Sequence, residues 1–241
     1  MKRSLRTALA AGLVAAMPSA GAAELVCGPD APLATSVRLE YTVTATRSVL
    51  SLTGDGVVTY QRRGDEYSMV STLKAAGVFE AEQRSGGTVG SDGLVPRQFT
   101  QRTSRRPPLS VDFDWPDGRV AFSPTGAHAA TRPQMQDRLS LLFQLAWRQR
   151  AEPRAETLTM PVAGHRSTAT YVFVATEGDP LTLPAGRFDT VRFELQGQRR
   201  GDSLEVWLAP ELCSLPVRAR FADERGTVVE QRLRAVRALA P

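Results

Sequence analysis

The chain has 241 residues, 42% of them hydrophobic, and 30 Lys+Arg stand against 25 Asp+Glu for a formal net charge of +5. Three of those 30 cations, Lys2, Arg3 and Arg6, lie in the first 23 residues, which hold no acid, so the remainder carries 27 against 25. A balance so near neutrality gives no argument for a nucleic-acid partner or an anionic membrane.

The opening "MKRSLRTALAAGLVAAMPSAGAA" has a charged start, a short apolar run from Ala8 to Met17, and small residues spaced Ala-x-Ala at Ala20 and Ala22. That is the layout of a cleaved secretory signal, with cleavage expected near Ala22-Ala23. The run is roughly 10 residues where a helical span needs about 20, so a retained anchor is the weaker reading. Cys27 follows closely, but "ELVC" puts bulky Val26 directly before it, unlike a lipid-attachment signal. The expectation is residues 1–23 as signal and residues 24–241 as one exported, periplasmic or secreted domain with no integral membrane span. No Pro/Gly/Ser-rich linker, fixed-period repeat or low-complexity segment divides it.

The body alternates. In "VRLEYTVTAT", Val37, Leu39, Tyr41, Val43 and Ala45 share one face, and Arg38, Glu40, Thr42, Thr44 and Thr46 the other, as in a half-buried strand. Val57–Gln61 and Tyr67–Leu73 flank a hairpin connection containing Gly64-Asp65. Phe79–Arg84, Thr88-Val89 and "LVPRQFTQR" continue the series, with "GSDG" as a turn. In "SVDFDWPDGRVAFS", Asp117-Gly118 stands between apolar alternations, a strong hairpin cue.

One segment breaks the pattern. In "RPQMQDRLSLLFQLAWRQRAEP", Met135, Leu139, Leu142, Phe143 and Ala146 recur at helical spacing, and Leu141, Leu145 and Trp147 widen the apolar arc. Pro133 suits a first turn and Pro153 stops continuation. The spacing predicts a helix over residues 134–149, too apolar for a surface position and buried against the concave face of a sheet. Strand grammar then resumes with "TATYVFVAT", "LTLPAGRFDTVRFELQ", "SLEVWL", Val217–Phe221 and "TVVEQRLRAV". The fold class expected is mainly β: a large curved antiparallel sheet of about 11–12 strands, a half-barrel or open barrel, around one buried helix.

The chain has two cysteines, Cys27 and Cys213. In an exported protein they suggest one disulfide, which would close almost the whole mature chain and contribute about 4–5 kcal/mol in a loop-entropy account. The alternative is two thiols that never meet.

Candidate chemistry is sparse. His128 and His165 have no second ligand at metal spacing and sit in polar, turn-like contexts, so they read as solvated loop histidines, and no metal or cofactor is expected. "RSGGTVGSDG" lacks the ending of a phosphate loop, and no Gly-x-Ser-x-Gly elbow occurs. Asp112 and Asp114 share one strand face, where a solvated exterior is the plainer reading than acid–base work. "RTSRRPP" is a basic connection that could meet an acidic partner or simply be solvated. The bulk of Trp115, Trp147, Trp207 and Phe143, with Met135, Leu139 and Leu142, is the candidate lining of a cavity, ordinary core being the alternative.

The segments "LEYTVTA", "SDGLVPRQF", "QDRLSLLFQLA", "PAGRFDTVRFEL" and "VWLAPELCSLPVRARF" resemble domain-of-unknown-function family 3108, a family of exported bacterial proteins, over roughly Val37 to Val236. That resemblance implies an exported β-rich domain and carries over no catalytic residue. More loosely the chain is similar to the curved half-barrel of periplasmic lipoprotein carriers, an analogy of fold that does not fix function. Together these lead to an expectation of a non-enzymatic binding or scaffold protein of the cell envelope, with an acyl chain, a lipid or a lipid-modified partner as ligand. The rivals are a hydrolase acting on an envelope polymer and a structural domain whose concavity is filled by its own helix.

Overall fold

The alternation that begins at Val37 becomes a strand whose buried residues are Val37, Leu39, Tyr41 and Val43. In the computed structural model, which describes residues 25, 36–75, 79–104, 106–197 and 202–239, it is one of fourteen strands. The elements are β1 (Val37–Arg47), β2 (Leu50–Arg63), β3 (Glu66–Ala75), β4 (Phe79–Gly90), β5 (Gly93–Thr103), β6 (Arg106–Asp114), β7 (Arg119–Ser123), β8 (Ala127–Ala130), α1 (Ser140–Ala151), β9 (Thr157–Ala163), β10 (Thr168–Leu183), β11 (Gly186–Leu195), β12 (Ser203–Ala209), β13 (Leu215–Ala222) and β14 (Thr227–Ala238).

All fourteen strands form one sheet in the order β8-β7-β6-β5-β4-β3-β2-β1-β14-β13-β12-β11-β10-β9. Each neighbouring pair is antiparallel. Two meanders therefore run outward from a central seam, where β1 and β14 pair along their length from Val37↔Ala238 to Arg47↔Thr227. The sheet is not closed: β8 and β9 are its edges, and the segment carrying α1 joins them.

Packing shows how the sheet curls. Met135, Leu139, Phe143, Ala146 and Trp147 share a core cluster with Leu39, Tyr60, Met69, Phe99, Val111 and Phe122 from β1–β7. Phe143 stacks on Tyr60 with ring centroids 5.4 Å apart. Leu141 and Leu145 instead share a cluster with Leu158, Met160, Phe173, Phe193, Val206 and Leu208 from β9–β12. One helix can be buried from both sides by a single sheet only if that sheet wraps around it. Each large apolar side chain so buried contributes roughly 1.5–3 kcal/mol.

Fourteen strands exceed the expected 11–12 for two local reasons. β8 is "AHAA", too small in side chains to alternate visibly, and β9 carries Pro161, which argues against a central strand. β9 is an edge, where proline is tolerated. The end of this edge is covered by the chain before the helix: Gln136 N–H donates to the Pro161 carbonyl (2.9 Å), and Ala163 N–H donates to the Gln136 carbonyl (2.8 Å).

The helix is displaced toward the C-terminus, Ser140–Ala151 rather than residues 134–149. Asp137 explains the start. Its Oδ1 accepts the N–H groups of Leu139 and Ser140 (both 2.8 Å), and its carbonyl accepts Leu141 N–H (3.1 Å). A carboxylate that caps the first turn ends any helical reading upstream of it. Gln134 accordingly has a left-handed φ of 59°. At the other end Arg148 pairs with Glu152 (2.8 Å) just before Pro153.

Candidate functional site: a cleft beside the internal helix

The helix is held by polar side chains that the apolar count passes over. Gln136, Asp137, Ser140 and Gln144 are all fully buried. Gln144 closes on the turn between β4 and β5: its Oε1 accepts Leu94 N–H (2.8 Å) and its Nε2 donates to the Asp92 carbonyl (2.7 Å). Gln136 Nε2 donates to the Leu94 carbonyl (2.8 Å). Gly93 lies between these contacts at φ 109°, and a Cβ there would overlap the Gln144 carboxamide. The glycine is required both by its dihedral and by the amide that covers it.

Asp137 ties the helix start to β4. Ser85 Oγ donates to Asp137 Oδ2 (2.5 Å), and Tyr67 Oη lies 3.0 Å from Ser85 Oγ. Burial pushes the Asp137 carboxyl above its ordinary value against the pull of these hydrogen bonds, and burial with the nearby Asp137 charge raises the Tyr67 phenol. The group is enclosed and spent on capping, so it is an anchor.

With α1 fixed in this way, its first turn leaves space against the second meander. A cleft of about 360 Å³ is lined by Leu141 and Leu142 of α1, Tyr171 of β10, Leu195 of β11, Leu204 of β12, Phe221 of β13 and Val229 of β14. Arg138, Asp202 and Asp223 stand among its polar residues. The two acids are ordered by backbone: Asp223 Oδ1 accepts Thr227 N–H (2.8 Å) and Arg225 N–H (3.0 Å), and Asp202 Oδ1 accepts Glu224 N–H (2.9 Å). Those donors hold the Asp223 carboxyl below its ordinary value. Apolar side chains from the helix and five strands share the lining with Arg138, Asp202, Ser203, Asp223 and Thr227, so the cleft offers both a hydrocarbon contact and polar groups to orient a ligand.

A second pocket, about 380 Å³, lies next to it and is lined by Arg106, Pro107, Leu109, Pro124, His165 and Arg166 among others. The two meet at one contact, Arg138 Nη1 donating to His165 Nε2 at 3.0 Å. Burial, then the charges of Arg138, Arg106 and Arg166, push the His165 imidazole down to about 4. His165 is thus half-buried and neutral near pH 7, where a solvated loop residue was expected. His165 does lie in a connection, between β9 and β10, whereas His128 is exposed on edge strand β8, paired with Ala121.

The residues named as cavity lining separate into three groups. Met135, Leu139, Phe143 and Trp147 are packed in the core, the first two from the chain leading into α1 and the last two from the helix face turned to the sheet. Leu142 is half-buried and lines the cleft. Trp115 lies outside the cleft, stacked on Phe113 (5.9 Å) with its Nε1 donating to the Pro96 carbonyl (2.7 Å). Trp207 is covered by arginines, with Arg218 4.2 Å and Arg192 5.8 Å from its ring centre. Asp112 accepts from Gln98 Nε2 (2.6 Å) and Ser110 Oγ (3.0 Å), which satisfies it within the sheet surface. Residues Tyr171, Leu195, Leu204, Phe221 and Val229 were not singled out, since nothing local distinguishes their alternation from that of other strands.

Cys213 sits at a left-handed φ of 56° after a 3₁₀ turn, is 3% exposed, and is not a free thiol. Cys27 lies outside the described residues, as do residues 1–23. Among the described residues there is no group of three or more His, Cys, Asp or Glu placed to hold a metal ion, and no helix is long and apolar enough to cross a membrane.

Fold and cleft together define an all-β half-barrel wrapped on one internal helix. The chain belongs to the family described as protein of unknown function (DUF3108), whose model matches residues 40–233. Among solved structures it is similar to a beta-barrel-like protein of domain of unknown function DUF1849 from Brucella abortus, at 10% identity and a TM-score of 0.57, over 86% of this chain and 99% of that one. A DUF1329 family protein from Desulfovibrio piger ATCC 29098 matches at 7% identity and a TM-score of 0.29, over 87% of this chain and 88% of that one, too low to bear on the fold. No curated protein matches the chain.

Proposed function

We propose that the protein is an exported, non-enzymatic binding protein of the cell envelope whose cleft beside α1 holds an acyl chain, free or attached to a partner. The observation that carries this reading is the 360 Å³ cleft itself, with apolar walls from one helix and five strands. Its volume lies in the range of small-molecule sites, at the lower end. The middle of the sheet is filled by Phe143, Met135 and Leu145, so a whole lipid has no room there, and the ligand contributes one chain through the opening by Leu142. Export rests on the signal-like residues 1–23, and a Cys27–Cys213 disulfide fits both an oxidising compartment and the absence of a free thiol among the described residues.

The test is native mass spectrometry of the full chain purified from its own envelope. Wild-type protein should carry a co-purified acyl species, and Leu142→Trp, which fills the cleft from a half-buried position, should not. If delipidated wild type neither retains nor rebinds a myristoyl chain, the cleft is a packing defect and the domain is structural. The same spectra give the N-terminal mass, which should begin near residue 23 or 24.

A further inference from the structure

Arginine is abundant in this chain, and several arginines of the sheet surface are neutralised by neighbouring acids. Arg38 pairs with Glu40, Arg84 with Glu82, Arg192 with Glu194 and Glu205, Arg218 with Glu230, and Arg220 with Glu205. At the pocket beside the cleft three arginines without such partners converge. Arg106 and Arg166 line it, Arg138 reaches into its His165, and none of these three guanidinium groups makes an ion pair among the described residues. They come from three separate places: the start of β6, the turn before α1, and the β9–β10 connection. All three charges reach His165, whose imidazole is depressed first by burial and then by them. Pro107, Leu109 and Pro124 give the same pocket an apolar wall.

We propose that this pocket binds an oxyanion, a phosphate or carboxylate, belonging to the ligand whose hydrocarbon part lies in the cleft. Planar guanidinium groups match the two-oxygen edge of such anions, and an apolar wall lowers the competition from water. Arg138 links the two sites, since it lines the cleft and contacts His165 of the pocket at 3.0 Å. His165 Nε2 accepts from Arg138 and so orients that guanidinium toward the pocket. The inference deepens the acyl-binding reading and rests on it for the ligand's apolar part. The anion itself can come from an amphiphile headgroup or from free phosphate.

Calorimetric titration of the full chain separates these cases, with tetradecyl phosphate below its micellar concentration, monomyristoyl glycerol and inorganic phosphate as probes. Tetradecyl phosphate should bind more tightly than the uncharged monoglyceride. Arg106→Gln, a change at an exposed side chain, should weaken tetradecyl phosphate about tenfold, the usual size of one lost charge-assisted hydrogen bond, and leave the monoglyceride unchanged. Arg106→Lys should recover part of the loss. Equal binding of the two amphiphiles, with Arg106→Gln without effect, would overturn the anion site and leave the acyl cleft standing. Binding of inorganic phosphate alone, weakened by Arg106→Gln, would keep the anion site with free phosphate as its source and remove the acyl reading. Binding of none of the three removes both.

Discussion

Replacing Gln144 by alanine tests whether the internal helix is seated by its polar clamp or only by its apolar stripe. The substitution removes two hydrogen bonds to the β4–β5 turn, one from the buried Leu94 N–H at 2.8 Å and one to the partly buried Asp92 carbonyl at 2.7 Å. Leaving a buried N–H without a partner costs about 1–3 kcal/mol, and the vacated volume adds to it, so a loss of about 2–4 kcal/mol is expected. In a domain of this size that lowers Tm by roughly 5–15 °C. Thermal and urea unfolding at one pH would measure it. Gly93 supplies a second reading of the same contact. Gly93→Ala carries two penalties, the φ of 109° and the overlap with the Gln144 carboxamide. In the Gln144→Ala background only the dihedral penalty remains, so the two changes together should cost less than their sum by about 0.5–3 kcal/mol. A Tm within about 2 °C of wild type for Gln144→Ala, or strict additivity with Gly93→Ala, would refute the clamp.

Phe143→Ala, which empties the stack on Tyr60, should cost about 3–5 kcal/mol in urea unfolding, whereas Leu142→Ala beside it should cost about 1 kcal/mol because its side chain borders the open cleft; equal losses would mean the cleft is closed in solution. Asp137 has its folded value raised by burial, so its contribution is greatest in acid and is lost as pH rises from the ordinary carboxyl range through the raised value. His165, held low at about 4, contributes the opposite slope below its ordinary value, so the test is the difference between the two proteins: the urea midpoint of Asp137→Asn should rise relative to that of wild type as pH increases across the window, and parallel pH profiles would show that Asp137 does not titrate there. Thiol labelling of denatured, unreduced mature protein should find no reactive cysteine, and labelling of both Cys27 and Cys213 would remove the proposed bond.

Much of the architecture can be read directly from side-chain order. Alternation at Val37–Val43 places a buried face, Asp117-Gly118 marks a hairpin, and the wide apolar arc from Leu139 to Trp147 marks an enclosed helix. These signals are local, since each residue reports the face on which its own neighbours lie. The same locality hides β8, whose alanines carry no contrast, and misplaces the helix start, because Met135 falls at helical spacing while Asp137 caps the chain after it. It also hides what the buried face meets. The seam between β1 and β14 joins residues almost the whole described chain apart, and the amides of Gln136 and Gln144 look like ordinary polar interruptions until the β4–β5 turn is brought against them. The cleft and the basic pocket belong to this second kind. Phe221 and Leu142, or Arg106 and His165, are separated by dozens of residues, and only the register of fourteen strands curled about one helix brings them together. Periodicity carries the burial of a side chain because burial is a property of one segment. A binding site is a property of several segments at once, and its geometry arises when long-range pairing sets the distances between them.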